Sequence, residues 1–465
     1  FWDPAPTYDR KLRSNFTKGV NGEMTQKNIS LTAFVLVSLS EATGVTGAAR
    51  QCVDGAKSKA QIYLEKNLDG VTDVFQLALV TYALTVSSSN RRNEAFEKLN
   101  KHKRTGEFAY WADKEIPANP RKIVNTVPYI EARLIYPNEG SAVQATSYAL
   151  MVYLRNNRLA ESEPIMQWLQ TVRNTIGGFA GTQDSFAALE ALTEYGKRDT
   201  NRDLYNIRIV LESTSTHGWK RQVDLNHTMW SQLQRREIPK VYGSVRAVAQ
   251  GTGLALMQLE TEVNVEYPWL QFPQPQGQFY DVSIGQGDLL FSGKNFSIME
   301  MRPCIRWTRP DISERAGMSV LEIDIPTGYI IMNDDLRRYV QSGVVPNLGR
   351  AEYYGRKVVF YFDYVDSRSQ TCVNFRADRW YPIANSTIQH VVRVYDYYEP
   401  GMFNLTMYTT FALFNLHICQ VCGSFQCPYC GDFYNVATST VTISVTFTAI
   451  VTSFAFMFKR WLTNT

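Results

Sequence analysis

Apolar residues recur at helical spacing through the first two hundred positions. Four stretches are apolar around most of a helix: SLTAFVLVSL from Ser30, FQLALVTYAL from Phe75, ATSYALMVYL from Ala145 and SFAALEALTEY from Ser185. Each is followed by a more polar segment, such as SEPIMQWLQTVRN from Ser162. A helix that is apolar nearly all round belongs inside a larger structure. The repeat therefore predicts inner and outer helices in an α/α toroid, with an irregular helical domain as the alternative.

Near position 203 the apolar period changes from helical to alternating. Apolar and polar residues alternate from Tyr205 to Leu211, which predicts a half-buried strand. A second strand is predicted in GTGLALMQLETEV from Gly251, because neither a third glycine nor a helix follows to make a phosphate-binding loop. The proline-rich stretch EYPWLQFPQPQGQ, at 266–278, breaks this pattern and is predicted to contain a linker.

A second, all-β unit is predicted from about Tyr280. Its strand candidates have the spacing of a sandwich: NFSIMEMRPCIRW, SVLEIDIPTGYI, KVVFYFDYV, TCVNFRADRWYPI and HVVRVYDYYEP. One short helix, NDDLRRYV, interrupts them, and Asn333 or Asp334 is the predicted N-cap. We interpret Asp335 as a complement to the helix dipole rather than as an acid or base, because no histidine lies nearby.

An uncharged run extends from Val436 to Phe458 and is followed at once by Lys459 and Arg460. Its length suits a membrane-spanning helix, and the basic pair should face the cytoplasm, so that 459–465 would be a cytoplasmic tail. Two alternatives are a buried strand pair and a GPI-anchor signal. We predict a single-pass span, because no turn residue divides the run and because GPI signals usually end in apolar residues.

Seven cysteines fit an oxidising compartment. Four of them form CxxC-x4-CxxC directly before the predicted span: Cys419, Cys422, Cys427 and Cys430. The pairs are closer together than in zinc sites, which predicts two local disulfides in a juxtamembrane stalk, 419–435, in an undetermined pattern. Cys304 and Cys372 could form a third bridge, and Cys52 would be buried and free or paired with a residue upstream of Phe1.

Composition and charge narrow the function further. The 465 residues carry 48 basic and 44 acidic side chains, so we expect no nucleic-acid partner. The five histidines are isolated and no G-x-S-x-G occurs, so we predict no catalytic residue, no metal and no cofactor. Six N-x-[ST] sequons predict an extracellular glycoprotein, at Asn15, Asn28, Asn226, Asn295, Asn385 and Asn404.

Several of these segments resemble the α2-macroglobulin and complement family of thioester-containing proteins. SLTAFVLVSLSEA, ATSYALMVYL and GGFAGTQDSFAALEALTEYG are similar to its thioester domain, and GGF-x-x-TQD at 177–184 is the most specific string. GMSVLEIDIPTGY, KVVFYFDYV and VVRVYDYYEP are similar to its C-terminal receptor-binding macroglobulin domain. The resemblance also implies that Cys304 pairs with Cys372.

The resemblance implies a multidomain α + β architecture. Its first parts would be a thioester-type α/α toroid (1–202), the second half of a CUB β-sandwich (203–266) and a linker (267–277). A receptor-binding macroglobulin β-sandwich (278–418), the cysteine-rich stalk (419–435) and a transmembrane helix (436–458) would follow. Reactive family members carry GCGEQ, which does not occur here, and the assisting histidine is also missing, since the first histidine is His102. Either GCGEQ lies upstream of this fragment or this is a non-thioester member.

The resemblance implies a binding protein rather than an enzyme. The predicted span makes the chain most similar to the membrane-attached, macroglobulin-complement-related members. It would act at the plasma membrane in recognition, innate immunity or septate-junction adhesion, with a receptor, a protease or a junction protein as partner. The alternative is the receptor-recognition part of a macroglobulin-type endopeptidase inhibitor. Arg337 and Arg338 would then occupy its receptor-binding helix, although they could equally be solvated arginines.

Overall fold

The computed structural model describes two compact units within the chain. The described residues are 11, 15–18, 24–42, 44–117, 135–174, 177–198, 204–229, 232–240, 242–253, 255–261, 278–285, 287–422 and 430. Unit 1 comprises Phe1–Phe279 together with the short segment Tyr395–Phe403. Unit 2 comprises Tyr280–Val394 and Asn404–Thr465. The predicted linker, 267–277, lies outside the described residues.

Unit 1 contains alternating inner and outer helices. They are α1 (Ile29–Glu41), α2 (Gly47–Asn67), α3 (Val74–Val86), α4 (Arg92–Asn100), α5 (Glu139–Arg155), α6 (Leu159–Thr171) and α7 (Thr182–Arg198). The four predicted apolar stretches lie in α1, α3, α5 and α7, which pack in that order, each against the next. Helices α2, α4 and α6 each pack against the inner helix that precedes them.

Burial explains the difference between the inner and the outer helices. In α3, 11 of 13 residues are buried, and the Asp73 carboxylate caps its start by accepting a hydrogen bond from the Gln76 N–H at 2.7 Å. Helix α2, with 21 residues, buries only Leu64. Helix α7 differs from the prediction for an inner helix, because Phe186 and Leu189 are 68% and 49% exposed. The residues that the structure describes therefore cover the apolar surface of α7 on one side and leave the other side exposed.

The strands of unit 1 are short apart from one three-stranded sheet. They are β1 (Asn15–Lys18), β2 (Met24–Lys27), β3 (Lys103–Thr105), β4 (Ala109–Trp111), β5 (Asn206–Ser213), β6 (Lys220–Asn226) and β7 (Val245–Thr252). The sheet is antiparallel with the order β6-β5-β7, and β5 contains the strand predicted from Tyr205 to Leu211.

The second strand predicted for this region is wrong. Strand β7 ends at Thr252, directly after Gly251, and 255–261 forms no regular secondary structure. Gly251 has a φ of +126°, and a Cβ there would come within 1.9 Å of the Asn206 carbonyl oxygen, so the glycine permits close approach of two strands. Beyond it, the apolar Leu256 is 60% exposed and enters no core among the residues that the structure describes.

Unit 2 is built mainly from strands. They are β8 (Tyr280–Ser283), β9 (Leu289–Ser292), β10 (Ile298–Met301), β11 (Cys304–Trp307), β12 (Arg315–Ala316), β13 (Ser319–Asp324), β14 (Tyr329–Ile330), β15 (Leu348–Tyr354), β16 (Lys357–Phe362), β17 (Val365–Asp366), β18 (Thr371–Cys372), β19 (Phe375–Arg379), β20 (Gln389–Asp396) and β21 (Phe403–Thr409). Its helices are α8 (Asn333–Gln341), α9 (Phe411–Phe414) and α10 (Ile418–Val421).

The sheets of unit 2 pack face to face. The strand orders are β15-β16-β13-β20-β21, β14-β19-β10-β9, β18-β11-β8 and β12-β17. Phe360 on β16 and Phe375 on β19 place their ring centroids 5.8 Å apart, and the Tyr280 hydroxyl on β8 lies 2.9 Å from the Ser319 hydroxyl on β13. Alternate residues of β16 and β20 are buried, as a two-layer β structure requires. All five predicted strand segments lie on these strands.

The predicted N-cap of α8 is wrong by one residue. The cap position is Met332, and neither Asn333 nor Asp334 caps the helix. The Asn333 side chain instead binds β15, where its Oδ1 accepts from the Tyr353 N–H at 2.7 Å and its Nδ2 donates to the Tyr353 carbonyl at 3.3 Å. Asp334 and Asp335 lie in the first turn, close to the positive end of the helix dipole.

The predicted membrane segment is not among the residues that the structure describes. Within the ranges that the structure describes, no helix is both long and apolar enough to cross a bilayer. The run 436–458 lies outside those ranges, as do 423–429 and 431–435 of the predicted stalk. The span therefore stays a prediction from sequence.

Candidate functional site

Unit 1 contains a buried polar site where Tyr395–Phe403 packs against the first turn of α5. Glu399 is 4% exposed, and its Oε1 accepts hydrogen bonds from both the backbone N–H and the hydroxyl of Ser141. The Lys11 ammonium lies 3.4 Å from the same oxygen. Ser141 is in the first turn of α5, where backbone N–H groups and the helix dipole favour a negative charge. The site therefore holds a carboxylate between a helix N-terminus and a lysine.

Local geometry presents Glu399 to this position. The Asp396 carboxylate accepts hydrogen bonds from the backbone N–H groups of Tyr398 and Glu399, each at 3.0 Å. The turn closes with a 2.8 Å bond from the Met402 N–H to the Glu399 carbonyl. Gly401 follows, and a Cβ there would lie 2.2 Å from the Tyr136 carbonyl oxygen. Residue 401 must therefore lack a side chain for the segment to approach this closely.

The most specific family string in the sequence, GGF-x-x-TQD, supplies the neighbouring turn. The Asp184 carboxylate accepts from the Gly181 N–H at 2.8 and 3.1 Å, which closes the turn before α7. Burial raises the pKa of Asp184 to about 6, against the lowering effect of the positive Lys11, and the negative Glu399 raises it further. The string thus acts here as a structural turn whose carboxyl group shares its surroundings with Glu399.

The two arginines that the family resemblance singled out lie on α8 of unit 2. The side chains of Arg337 and Arg338 are 71% and 76% exposed. Each pairs with the aspartate three residues earlier, Arg337 with Asp334 at 2.8 Å and Arg338 with Asp335. Exposed ion pairs of this kind contribute at most about 1 kcal/mol to the free energy of unfolding, but they compensate the positive charges of the two arginines. The helix therefore does not present two uncompensated cations.

The cysteines pair in two described disulfides. Cys304 and Cys372 lie directly opposite each other on β11 and β18 and are joined, as the family resemblance implied. Cys419 is joined to Cys430, so the outermost members of CxxC-x4-CxxC form one bridge. Cys422 is also disulfide-bonded, while Cys427 lies outside the described residues.

Cys52 was predicted to be either a buried free thiol or paired with a residue upstream of Phe1. It is free and exposed on α2, so the expectation of a buried free thiol is wrong. An amphipathic outer helix has a solvent face, and position 52 falls on that face rather than towards α1 or α3.

The sequons differ in the room around the asparagine. Asn385 is exposed, and the half-buried Asn226 ends β6, where its Oδ1 accepts from the Thr228 hydroxyl at 2.7 Å. Asn28 is half-buried at the start of α1, and Asn15 lies in β1.

Two other sequons have engaged side-chain amides. Asn404 donates from Nδ2 to the Tyr280 carbonyl at 2.7 Å, and Asn295 donates from Nδ2 to the Gln420 carbonyl. Because a glycan is attached at Nδ2, both positions leave less space for a sugar than Asn385 and Asn226 do.

The sequence reasoning missed Lys11 and Glu399. A lysine and a glutamate are almost never fully buried unless they are paired, so neither residue type suggested burial. One signal was available, since Asp396 and Glu399 flank two tyrosines directly before a Pro-Gly turn. That pattern indicates a structured loop, although it does not reveal the partner of the carboxylate.

These features define a class of protein before any comparison: a helical unit of paired inner and outer helices and a separate β-sandwich unit in one chain. The family model described as the A-macroglobulin TED domain matches residues 7–195, and the A-macroglobulin receptor binding domain matches 314–409. Together they cover more than half of the chain. The chain therefore belongs to the α2-macroglobulin/complement family of thioester-containing proteins, which confirms the resemblance.

Individual relatives support the same family. Complement C3 of Lethenteron camtschaticum is 24% identical over 426 residues, which cover 86% of this chain and 24% of that protein. Thioester-containing protein 1 allele R1 of Anopheles gambiae is 22% identical over 422 residues, covering 90% and 28%. Ovostatin of Gallus gallus is 24% identical over 408 residues, covering 82% and 24%. The chain thus spans about a quarter of the length of these relatives.

Replacing Asp184 should remove a pH-dependent loss of stability. Its pKa is about 6 in the folded chain against an ordinary value of 3.8, so ionisation favours unfolding as the pH rises from about 4 to about 6. We expect Asp184→Asn to match the natural chain near pH 4 and to exceed it in free energy of unfolding above pH 6 by up to about 3 kcal/mol. Thermal unfolding followed by circular dichroism between pH 4 and 8 measures this.

The matched control for that experiment is Asp54→Asn. Asp54 is exposed on α2 and pairs with Arg50, so this variant should keep the pH dependence of the natural chain. If Asp184→Asn showed the same pH dependence as Asp54→Asn, the buried carboxyl would not be its source.

Glycan occupancy should follow the space around each asparagine. We expect glycopeptide mass spectrometry of the full chain, produced in eukaryotic cells, to find higher occupancy at Asn385 and Asn226 than at Asn404 and Asn295. The reason is the hydrogen-bonded Nδ2 of the latter pair. Higher occupancy at Asn404 than at Asn385 would contradict this ranking.

Proposed function

We propose that the chain is a complement-like, macroglobulin-family binding protein of the cell surface, without a thioester of its own. It would act in recognition, innate immunity or cell-junction adhesion. The observation that carries the proposal is a combination: both family domains match one chain, while GCGEQ occurs nowhere in its 465 residues. Such a chain keeps the parts that contact other proteins and lacks the group that reacts covalently.

Unit 2 supports a protein partner. Most of the receptor-binding family match, at 314–394 and 404–409, lies in unit 2, whose sandwich has its own buried core and an internal disulfide. A rigid β scaffold of this kind is suited to presenting loops and short helices to another protein. We therefore propose binding rather than catalysis, with a receptor, a protease or a junction protein as partner and no nucleic acid, metal or cofactor.

The location at the plasma membrane rests on the C-terminal sequence. The run from Val436 to Phe458 has the length and the basic flank of a single-pass helix, and the sequons and disulfides suit an extracellular position for the rest. A GPI anchor is the alternative attachment.

A second candidate function is the receptor-recognition part of a macroglobulin-type endopeptidase inhibitor. Similarity to ovostatin of Gallus gallus favours it. Bait and thioester regions would then lie upstream of Phe1, and Arg337 and Arg338 would contribute to receptor binding. The compensation of both arginines by Asp334 and Asp335 argues for a weak contribution.

Cells that display the full chain should adhere to other cells through a protein partner. The chain would be expressed behind a secretion leader with an extracellular epitope, and antibody staining of intact cells would report display. We expect the stain to resist phosphatidylinositol-specific phospholipase C. We also expect adhesion to untransfected cells that mild trypsin treatment of those cells abolishes.

Two outcomes of this experiment would contradict parts of the proposal. Release by the phospholipase would replace the spanning helix with a GPI anchor. Adhesion no greater than that of vector-transfected cells, at equal display, would overturn the binding function. A chain ending before Val436 serves as the control, because it should be secreted rather than displayed.

Labelled methylamine distinguishes the two candidate functions. A thioester reacts with this amine and retains the label covalently, whereas a protein without GCGEQ has no such group. We expect the natural protein, purified from its own tissue in its longest form, to incorporate no label. Stoichiometric incorporation would favour the inhibitor function and place the reactive group upstream.

A further inference from the structure

One end of the unit 2 sandwich exposes aromatic and arginine side chains together. Trp380 and Tyr381 are 61% and 57% exposed, and Arg356 lies in the exposed turn between β15 and β16. We call this surface the aromatic–arginine patch, defined by Tyr353, Arg356, Arg379, Trp380 and Tyr381. Exposed side chains of tryptophan, tyrosine and arginine are the types that dominate protein-binding surfaces.

Backbone contacts bring these residues to one place. The N–H groups of Trp380 and Tyr381 both donate to the Gly328 carbonyl, at 2.7 and 3.1 Å. The Arg356 guanidinium donates a hydrogen bond of 3.1 Å to the hydroxyl of Thr327, which directly precedes Gly328 in the chain. Arg356 and the two aromatic residues are therefore held at adjacent positions of the same loop.

Tyr353, on β15, is a half-buried member of the patch. Burial raises the pKa of its phenol, while Arg356 lowers that pKa and Tyr381 raises it, so both side chains lie within electrostatic range of the hydroxyl. The hydroxyl itself donates to the Tyr329 carbonyl at 3.2 Å. The half-buried Tyr353 is therefore bound to Tyr329, with Arg356 and Tyr381 within electrostatic range of its hydroxyl.

The two arginines of the patch form no described ion pair. Among the described residues, neither Arg356 nor Arg379 has a carboxylate partner. Arg379 donates to the Asn295 carbonyl and lies 5.7 Å from the centre of the Tyr329 ring. The carboxylates of Glu322 and Asp324, on the neighbouring strand β13, lie 3.4 and 3.7 Å from the Lys357 ammonium.

The arginines of the patch differ from those of α8 in the groups that lie beside them. On the helix, each exposed arginine has an aspartate beside it, so an incoming carboxylate would have to compete with that aspartate. In the patch, an incoming carboxylate would meet guanidinium groups without such a competitor. Aromatic rings beside them would reduce the access of water and strengthen the interaction.

We propose that the aromatic–arginine patch binds an extended segment of a partner protein that carries a carboxylate beside aromatic or aliphatic side chains. The inference rests on the proposed function and assigns its contact surface. Arginine binds a carboxylate with two parallel hydrogen bonds, and Trp380 and Tyr381 supply flat apolar surface for the flanking side chains. Charge complementarity selects an acidic rather than a basic segment.

Fluorescent synthetic peptides test this on cells that display the full chain. The probe peptide has the core Phe-Asp-Leu between Gly-Ser spacers, and control peptides carry Phe-Asn-Leu or Phe-Lys-Leu. We expect binding, measured by flow cytometry, to weaken at least about tenfold when the aspartate is replaced. Arg356→Glu should weaken binding of the aspartate peptide by at least about tenfold, and Trp380→Ala by about fivefold or more.

The matched control is the double variant Arg337→Ala/Arg338→Ala. It removes two exposed arginines from the same unit and should leave binding of the aspartate peptide unchanged. All variants are compared at equal surface display, which also reports that they fold and leave the secretory pathway. Equal binding by Arg356→Glu and by the natural chain would overturn the proposal, as would equal binding of the asparagine peptide.

Two other occupants of the patch would also overturn it. If sedimentation showed a dimer of the detergent-solubilised chain that Trp380→Ala dissociates, the patch would be an interface between two copies. If the aspartate peptide bound only after Asn385→Gln, a glycan would cover the patch in the natural protein.

The cell-adhesion assay separates this inference from the proposed function. Adhesion by the natural chain that Arg356→Glu leaves unchanged would reject the patch and leave the binding function standing. If the natural chain itself did not adhere, the proposed function would fail, whatever the peptides showed.

Discussion

The buried carboxylate of Glu399 joins the segment 395–403 to the first turn of α5. A charge removed from water destabilises a protein unless other groups compensate it, and here the first turn of α5 and the Lys11 ammonium do so. The arrangement is possible because Asp396 shapes the turn and because Gly401 permits contact with the backbone of Tyr136. A buried polar contact in the helical unit therefore holds the segment 395–403 against α5.

The same surroundings explain why the most specific family string can occur in a chain without the reactive motif. In GGFAGTQD the Asp184 carboxyl closes a turn onto the Gly181 N–H, and its raised pKa follows first from burial. None of these contacts involves a thioester. These contacts serve folding, so the presence of the string identifies the domain rather than the reaction.

The arginines of unit 2 differ in what lies beside their guanidinium groups. Arg337 and Arg338 are each compensated by an aspartate on the same helix, while Arg356 and Arg379 hydrogen-bond to neutral oxygens. The first pair thus has a carboxylate on the same helix, and the second pair has none among the described residues. The position of a basic pair in the sequence therefore does not show whether its charges are already paired within the domain.

The sequence alone determined the features that depend on periodicity. The apolar stretches of α3 and α5 and the alternating residues of β13, β16 and β20 indicated the right elements, because burial on one or all sides leaves a repeating pattern. The tertiary structure decided what depends on distant partners. Only the tertiary structure brings Glu399 to Ser141 and Cys419 to Cys430, and in it residues 255–261 join none of the described sheets. The local sequence pattern indicates which residues are buried. Which residues they contact depends on how distant segments of the chain pack together.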